Sequence, residues 1–332
     1  MTFTVNDGHG GTDSETITVT VSAPAGLVVL SIEGANRFAT AIEISKKAFP
    51  TGSEYVIIAT GMNWPDALGG SALAGALDAP ILLTRQDVLP TEVRDEIVRL
   101  GATKAIVLGG TPAVSAAVYN QIDAITNVTV ERIFGPTRYE TANAVAARTI
   151  QVMGNAYDGT AFIATGLNFP DALGASPIAA AFGMPIVLAN PASSSIVLPA
   201  GVDHAVICGG SNVVSGAIAA DLDFKLGAEN TERLAGANRY GTAAAVASYG
   251  VDLGLGWDGV GIATGTNFPD ALSAGPVLGA KGTVLLLVGT TLPSEIAAVL
   301  SANRDQIYTV HFFGSTAAVP QSVRNAVRSR LN

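Results

Sequence analysis

The amino-acid sequence predicts an α/β protein of three tandem units, each a parallel sheet flanked by helices, preceded by a short β-hairpin. Three observations carry this expectation. Sequence blocks recur three times in a fixed order, short unbroken apolar runs alternate with alanine-rich amphipathic stretches between them, and the first 26 residues follow a different, alternating pattern. A length of 332 residues exceeds the roughly 100 to 200 of an ordinary domain and admits two or three units. With 48% hydrophobic and 14% charged residues, the chain is neither disordered, nor a coiled coil, nor collagen-like.

Residues 1–26 alternate polar and apolar residues on either side of Asn6-Asp7-Gly8, which reads as a hairpin. A two-stranded hairpin is marginal alone, so it reads as the remnant of an upstream module. Its pattern resembles the last strands of a cadherin-like or immunoglobulin-like bacterial surface module. Asp7 and Asp13 read as turn-forming aspartates, with a calcium site as the alternative. No basic stretch precedes an apolar one at the amino terminus, so Met1 reads as a boundary of an incomplete chain rather than a natural export start.

The first recurring block is Gly34-Ala-Asn-Arg37-Phe-Ala-Thr40-Ala41, repeated from Gly135 with Arg138 and Thr141, and from Gly236 with Arg239 and Thr242. The period is 101 residues both times. The second block is Ala59-Thr-Gly-Met-Asn63-Trp-Pro65-Asp66-Ala-Leu68, matched around Asn168-Phe-Pro170-Asp171 and Asn267-Phe-Pro269-Asp270. A third, an apolar run ending in glycines, appears at Gly109-Gly110 and Gly209-Gly210 and weakens to Gly314-Ser315. These blocks divide the chain into units 27–131, 132–232 and 233–332.

Candidate strands are 55–60, 80–84 and 104–108, then 161–165, 185–189 and 204–208, then 260–264, 283–288 and 308–313. Their apolar residues run without alternation, as in strands buried on both faces. Helices are expected after Arg37, Arg138 and Arg239, after the three Pro-Asp pairs, and from near Pro90, Pro199 and Pro293.

Each block has a structural and a functional reading. In the second, Gly61 permits a sharp turn, Pro65 suits the first helical position and Asp66 favours the helix dipole. The functional reading makes Asn63, Asn168 and Asn267, with free helix amides at the carboxyl ends of strands, small polar pockets, the usual ligand position in open α/β sheets. In the first block, Arg37, Arg138 and Arg239 open helices, where a cation opposes the dipole and needs another partner. That partner is either an acid, Asp66, Asp171 or Asp270, within or between units, or an external phosphate or carboxylate held by the guanidinium fork. Arg132 and Arg233 also recur, but the first unit has Ser31 at that position.

A net charge of −9 argues against a duplex nucleic-acid binder. No apolar run reaches the roughly 18 residues of a membrane span. The glycine pairs lack any phosphate-loop pattern and read as tight turns. His9, His204 and His311 share no place in the repeat and show no metal spacing, and the lone Cys208 has no internal partner, so no metal or cofactor is expected. Ser193-Ser194-Ser195 lacks a nucleophile elbow and reads as a solvated loop.

In ordered combination, these three blocks resemble the type 2 cell-wall-binding repeat family, over nearly the whole chain after residue 26. The resemblance implies Rossmann-like or toprim-like units around a pseudo-threefold axis in a secreted or surface-layer protein of Gram-positive type. It further implies noncovalent anchoring to an anionic cell-wall glycopolymer, teichoic-acid-like or a secondary wall polysaccharide, outside the cell. The matching positions are Arg37, Asn63 and Asp66, Arg138, Asn168 and Asp171, and Arg239, Asn267 and Asp270. Phe38 for tyrosine and Trp64 for phenylalanine depart from the pattern. Two alternatives stand beside anchoring: a stalk or scaffold displaying neighbouring modules, and a nucleotide- or sugar-processing enzyme. The enzyme reading requires one copy to carry its own acid, base or metal cluster, and the copies are alike in their polar residues.

Overall fold

The computed structural model describes residues 2–6, 9, 12–16 and 26–332. At the amino terminus, β1 (Thr2–Asn6) and β2 (Thr12–Thr16) pair antiparallel, with Thr2 opposite Thr16 and Asn6 opposite Thr12. Asp7, weighed above as a turn residue or calcium ligand, lies outside the described residues.

Three four-stranded parallel sheets follow. The chain runs through β3 (Val28–Ile32), α1 (Arg37–Ala48), β4 (Tyr55–Thr60), α2 (Gly70–Ala76), β5 (Ile81–Thr84), α3 (Thr91–Leu100), β6 (Lys104–Leu108) and α4 (Ala116–Asp123). The second pass is β7 (Thr129–Ile133), α5 (Arg138–Met153), β8 (Thr160–Thr165), α6 (Pro170–Phe182), β9 (Ile186–Ala189), β10 (His204–Cys208) and α7 (Gly216–Leu226). The third is β11 (Thr231–Leu234), α8 (Arg239–Asp252), β12 (Gly256–Thr264), α9 (Pro269–Ala280), β13 (Thr283–Val288), α10 (Ser294–Ala302), β14 (Thr309–Phe313) and α11 (Gln321–Leu331).

The sheets do not follow the sequence repeat. Their orders are β5-β4-β6-β7, β9-β8-β10-β11 and β13-β12-β14-β3. The strand that begins each repeat therefore completes the sheet of the preceding one, and β3 joins the third sheet, pairing His311 with Leu30 and Phe313 with Ile32. The three units close into a ring.

All nine expected strands form, and β12 begins earlier, at Gly256. Sequence reasoning missed the fourth strand of each sheet. VVLSI, TVERI and TERL are short and half exposed; β3 pairs with β14 at the far end of the chain, and β7 and β11 straddle the boundaries between units. It also missed α4, α7 and α11. Two helix expectations are corrected. The helix after Pro65 begins only at Gly70, following a turn. No helix forms at Pro199, because only four residues separate it from β10, too few for a helix and its exit.

Small residues bring α2, α6 and α9 together at the centre of the ring, where all three pack pairwise. A side chain at Gly75 would overlap the Ala180 carbonyl, and one at Gly279 would meet the Pro177 carbonyl. The alanine-rich composition of these helices thus serves close approach rather than an amphipathic surface, and α6 and α9 are buried along most of their length.

Candidate functional site

The repeated polar residues meet at the seams between units, at the carboxyl ends of the strands. Each motif arginine opens its helix behind a side-chain cap: Asn36 accepts from the Phe38 and Ala39 amides, Thr137 from Tyr139, and Asn238 from Tyr240 and Gly241. From there the guanidinium reaches the glycine just after the next strand, β4, β8 or β12. Arg138 Nη1 donates to the Gly166 carbonyl at 2.7 Å and Arg239 Nη1 to Gly265 at 2.6 Å; Arg37 Nη1 donates to Gly61.

The acidic partner comes from the neighbouring unit. Asp66 feels Arg138, Asp171 feels Arg239, and Asp270 feels Arg37. Of the two placements left open by the sequence, the structure selects the one between units. The threonine of the Arg block sits in this seam: Thr141 accepts the Gly135 amide at 3.1 Å and, close to Asp66, offsets part of the shift that burial imposes on that carboxyl. Thr40 likewise accepts the Gly34 amide at 3.1 Å and lies close to Asp270.

Burial dominates the carboxyl groups. Desolvation raises Asp66, Asp171 and Asp270 above the usual carboxylate range, and the neighbouring guanidinium offsets this only in part. Asp171 is pushed up to about 6. Each carboxylate lies against the first glycine of the strand-end pair, where Gly109, Gly209 and Gly314 have φ of 95°, 110° and 91°. A Cβ on Gly109 or Gly209 would come within 2.6 Å of Asp66 Oδ2 or Asp171 Oδ2. The second glycine has no positive φ, which explains why Ser315 is admitted in the third unit.

Arg132 and Arg233, the second recurring pair, cap the same turns: each donates Nη1 to the carbonyl of Gly109 or Gly209 at 2.7 Å. Where the first unit has Ser31, Arg324 of α11 substitutes, donating to the Gly314 carbonyl and to Ser31 Oγ, both at 2.6 Å. These arginines are committed to backbone carbonyls.

Asn63, Asn168 and Asn267 each accept the following residue's amide at 3.0 Å, fixing the loop before the Pro-Asp pair. The aromatic residues gather across the seams: Trp64 to Phe169 is 6.1 Å and Phe169 to Phe268 is 6.2 Å between ring centroids. Arg138 lies over Trp64 at 5.2 Å and Arg37 over Phe268 at 5.9 Å, again from one unit to the next.

Two seams open into cavities. One of about 450 Å³ sets Asn63, Asp66 and Gln86 of the first unit opposite Pro136, Thr137 and Arg138 of the second. One of about 150 Å³ sets Asn267, Asp270 and Ser315 opposite Asn36 and Arg37. Chemically, each offers guanidinium N–H groups, an amide and a half-buried carboxyl whose pKa burial raises. Among the described residues, no cluster of three histidine, cysteine or acidic side chains could hold a metal. No helix of the described residues is long and apolar enough to cross a membrane.

Comparison with known proteins agrees with this layout. The family described as Cell wall binding domain 2 (CWB2) matches residues 31–119, 132–219 and 233–324. The N-acetylmuramoyl-L-alanine amidase LytC of Bacillus subtilis is 30% identical over 308 residues, 91% of this chain and 58% of LytC. The Amidase enhancer of the same organism is 29% identical over 89% of this chain and 39% of its own. Cwp6 and Cwp8 from Clostridium difficile superimpose with TM-scores of 0.80 at 28% identity, covering 99% and 92% of this chain and 51% and 52% of theirs. The chain thus spans between 39% and 58% of the length of these relatives.

Proposed function

The chain belongs to the Cell wall binding domain 2 family, and from that premise we propose that it anchors a surface protein noncovalently to an anionic wall glycopolymer, teichoic-acid-like or a secondary wall polysaccharide. The polymer lies in the seams between repeats. The observation that carries this reading is the meeting of each unit's Asn-aromatic-Pro-Asp loop with the next unit's arginine, which makes one recurring pocket from two repeats. One guanidinium nitrogen is used by a glycine carbonyl, and four further N–H donors of the fork are left for phosphate or carboxylate. Arg37, Asn63, Asp66, Arg138, Asn168, Asp171, Arg239, Asn267 and Asp270 are the proposed contacts.

Repetition suits anchoring. A single seam with a millimolar dissociation constant, about −4 kcal/mol, gains roughly 10²- to 10⁴-fold when linked seams engage one polymer. The similarity to LytC and to the Amidase enhancer supports a wall-targeting part of larger proteins, because the similarity covers the repeat region. Residence at the cell surface follows from the same reading.

The test is retention on isolated walls, with and without their anionic polymer, over a salt series. The protein, at net charge −9, must meet an anionic surface through local cationic grooves, so retention falls as salt rises and vanishes on stripped walls. Equal retention on stripped walls overturns the proposal. Arg138→Lys keeps the charge but loses the fork, and weakens binding without unfolding the chain, as thermal melting checks.

A further inference from the structure

The shared strands differ at one position from seam to seam. In the first sheet Glu131 of β7 faces Ile106, and Arg148 of α5 reaches its carboxylate at 3.4 Å. In the second, Glu232 of β11 faces Val206 and lies near Tyr249 of α8. One period earlier, where β3 closes the ring, Leu30 occupies the place of the acid, opposite His311. The α1 residue one period before Arg148 is Lys47, and Lys281 follows the end of α9 beside it.

A cavity of about 200 Å³ opens at this place. Its floor is apolar: Leu30, Ile32, Val277, Leu278 and Phe313. Its nitrogen-bearing side chains are Lys47, Lys281 and His311, and no acid lines it. His311 is 8% exposed and stacks on Phe313 at 6.2 Å. The other two sheets place a glutamate at this position, Glu131 within 3.4 Å of Arg148 and Glu232 near Tyr249; this one has two ammonium groups around an apolar hollow and no acid lining it.

We propose that this cavity is a binding site for a small amphiphilic carboxylate, with its headgroup between Lys47 and Lys281 and a short acyl or aryl body against Leu30, Val277 and Phe313. An apolar pocket with a few convergent polar groups is the ordinary form of a small-molecule site. Leu30, 37% exposed, gains burial when the body enters. His311 reports occupancy. Burial first, then Lys281 and Lys47, hold its imidazole below its ordinary range, and a carboxylate beside the lysines relieves the part due to charge. The site stands apart from the polymer grooves, so neither proposal depends on the other.

The experiment follows assigned histidine ring signals of the full chain by NMR while hexanoate, inorganic phosphate or hexanol is added. Hexanoate produces saturable shifts at His311 and raises the pH at which it titrates. Leu30→Glu installs the residue that the other two sheets already accommodate, and weakens hexanoate at least about tenfold while leaving wall retention unchanged. Lys281→Gln, at an exposed helix end, weakens it likewise and serves if the first variant misfolds. No saturable shift at millimolar hexanoate overturns the proposal. So does phosphate or hexanol saturating as tightly as hexanoate, since either removes one half of the recognition. Unchanged hexanoate binding in both variants overturns it as well.

Discussion

Asp171 ties stability to pH through its burial against Gly209. Its carboxyl titrates near 6 in the folded chain, chiefly by desolvation, against about 4 when unfolded. Between these values the folded state holds the extra proton, so stability is full below about pH 4 and is lost as pH rises through 6. The loss amounts to as much as about 3 kcal/mol. Asp171→Asn removes this share, and denaturant unfolding at pH 4.5 and 7.5 measures it; a slope unchanged from the parent contradicts the assignment. Asp66 and Asp270 shift in the same direction. Once ionised, Asp171 competes with the polymer for Arg239, so wall retention is stronger at pH 5.5 than at 7.5. The strand-end glycines give a paired test. Gly109→Ala costs at least about 2 kcal/mol, from its positive φ and the clash with Asp66, whereas Gly110→Ala is close to neutral in thermal unfolding, as Ser315 already indicates. The importance of one glycine over the other was invisible in the sequence, because the neighbour that fixes it arrives from elsewhere in the fold. The recurrence of Asn63, Asp66 and Arg37 was fully legible; that Asp66 serves Arg138 rather than Arg37 was not, since the pairing depends on how units dock.

At the scale of elements, the strands that seal each sheet carry the arginines that hold its turns. Arg132 of β7 and Arg233 of β11 cap the carbonyls of Gly109 and Gly209, and Arg324 of α11 takes over where β3 has Ser31. Arg324 is 4% exposed and also faces Glu33 at 3.5 Å. Its replacement by alanine leaves a buried carbonyl unpaired and costs about 3 kcal/mol in denaturant unfolding. Ser31→Arg in the same chain restores part of that loss, since it recreates the arrangement of the other two sheets; no rescue contradicts the equivalence. The nine buried strands could be read from the sequence because continuous apolar runs have few other fates. The three sealing strands could not, since TVERI and TERL carry no strand signal of their own until a partner 25 or 26 residues upstream is known. The helix expected at Pro199 failed for a countable reason: four residues remain before β10.

For the whole molecule, ring closure converts a tandem repeat into one body. The amino-terminal β3 pairs along all five residues with β14, and α2, α6 and α9 share the axis. Closure fixes the seams at set positions, so under the proposed reading a polymer that fits one seam is presented to the next without further ordering cost, which would be the physical basis of avidity. The threefold plan followed from the 101-residue period and the family resemblance, but the exchange of strands did not, because a period specifies what recurs and not which copy it joins. The central claim is that the polymer occupies the seams between repeats. Its most direct measurement is the structure of the chain with a soluble fragment of the wall polymer. The account predicts anionic groups of the fragment within hydrogen-bonding distance of Arg138 in the cavity shared with Asn63 and Asp66, and of Arg37 in the one shared with Asn267 and Asp270. A fragment bound within a single unit, away from every motif arginine, contradicts it.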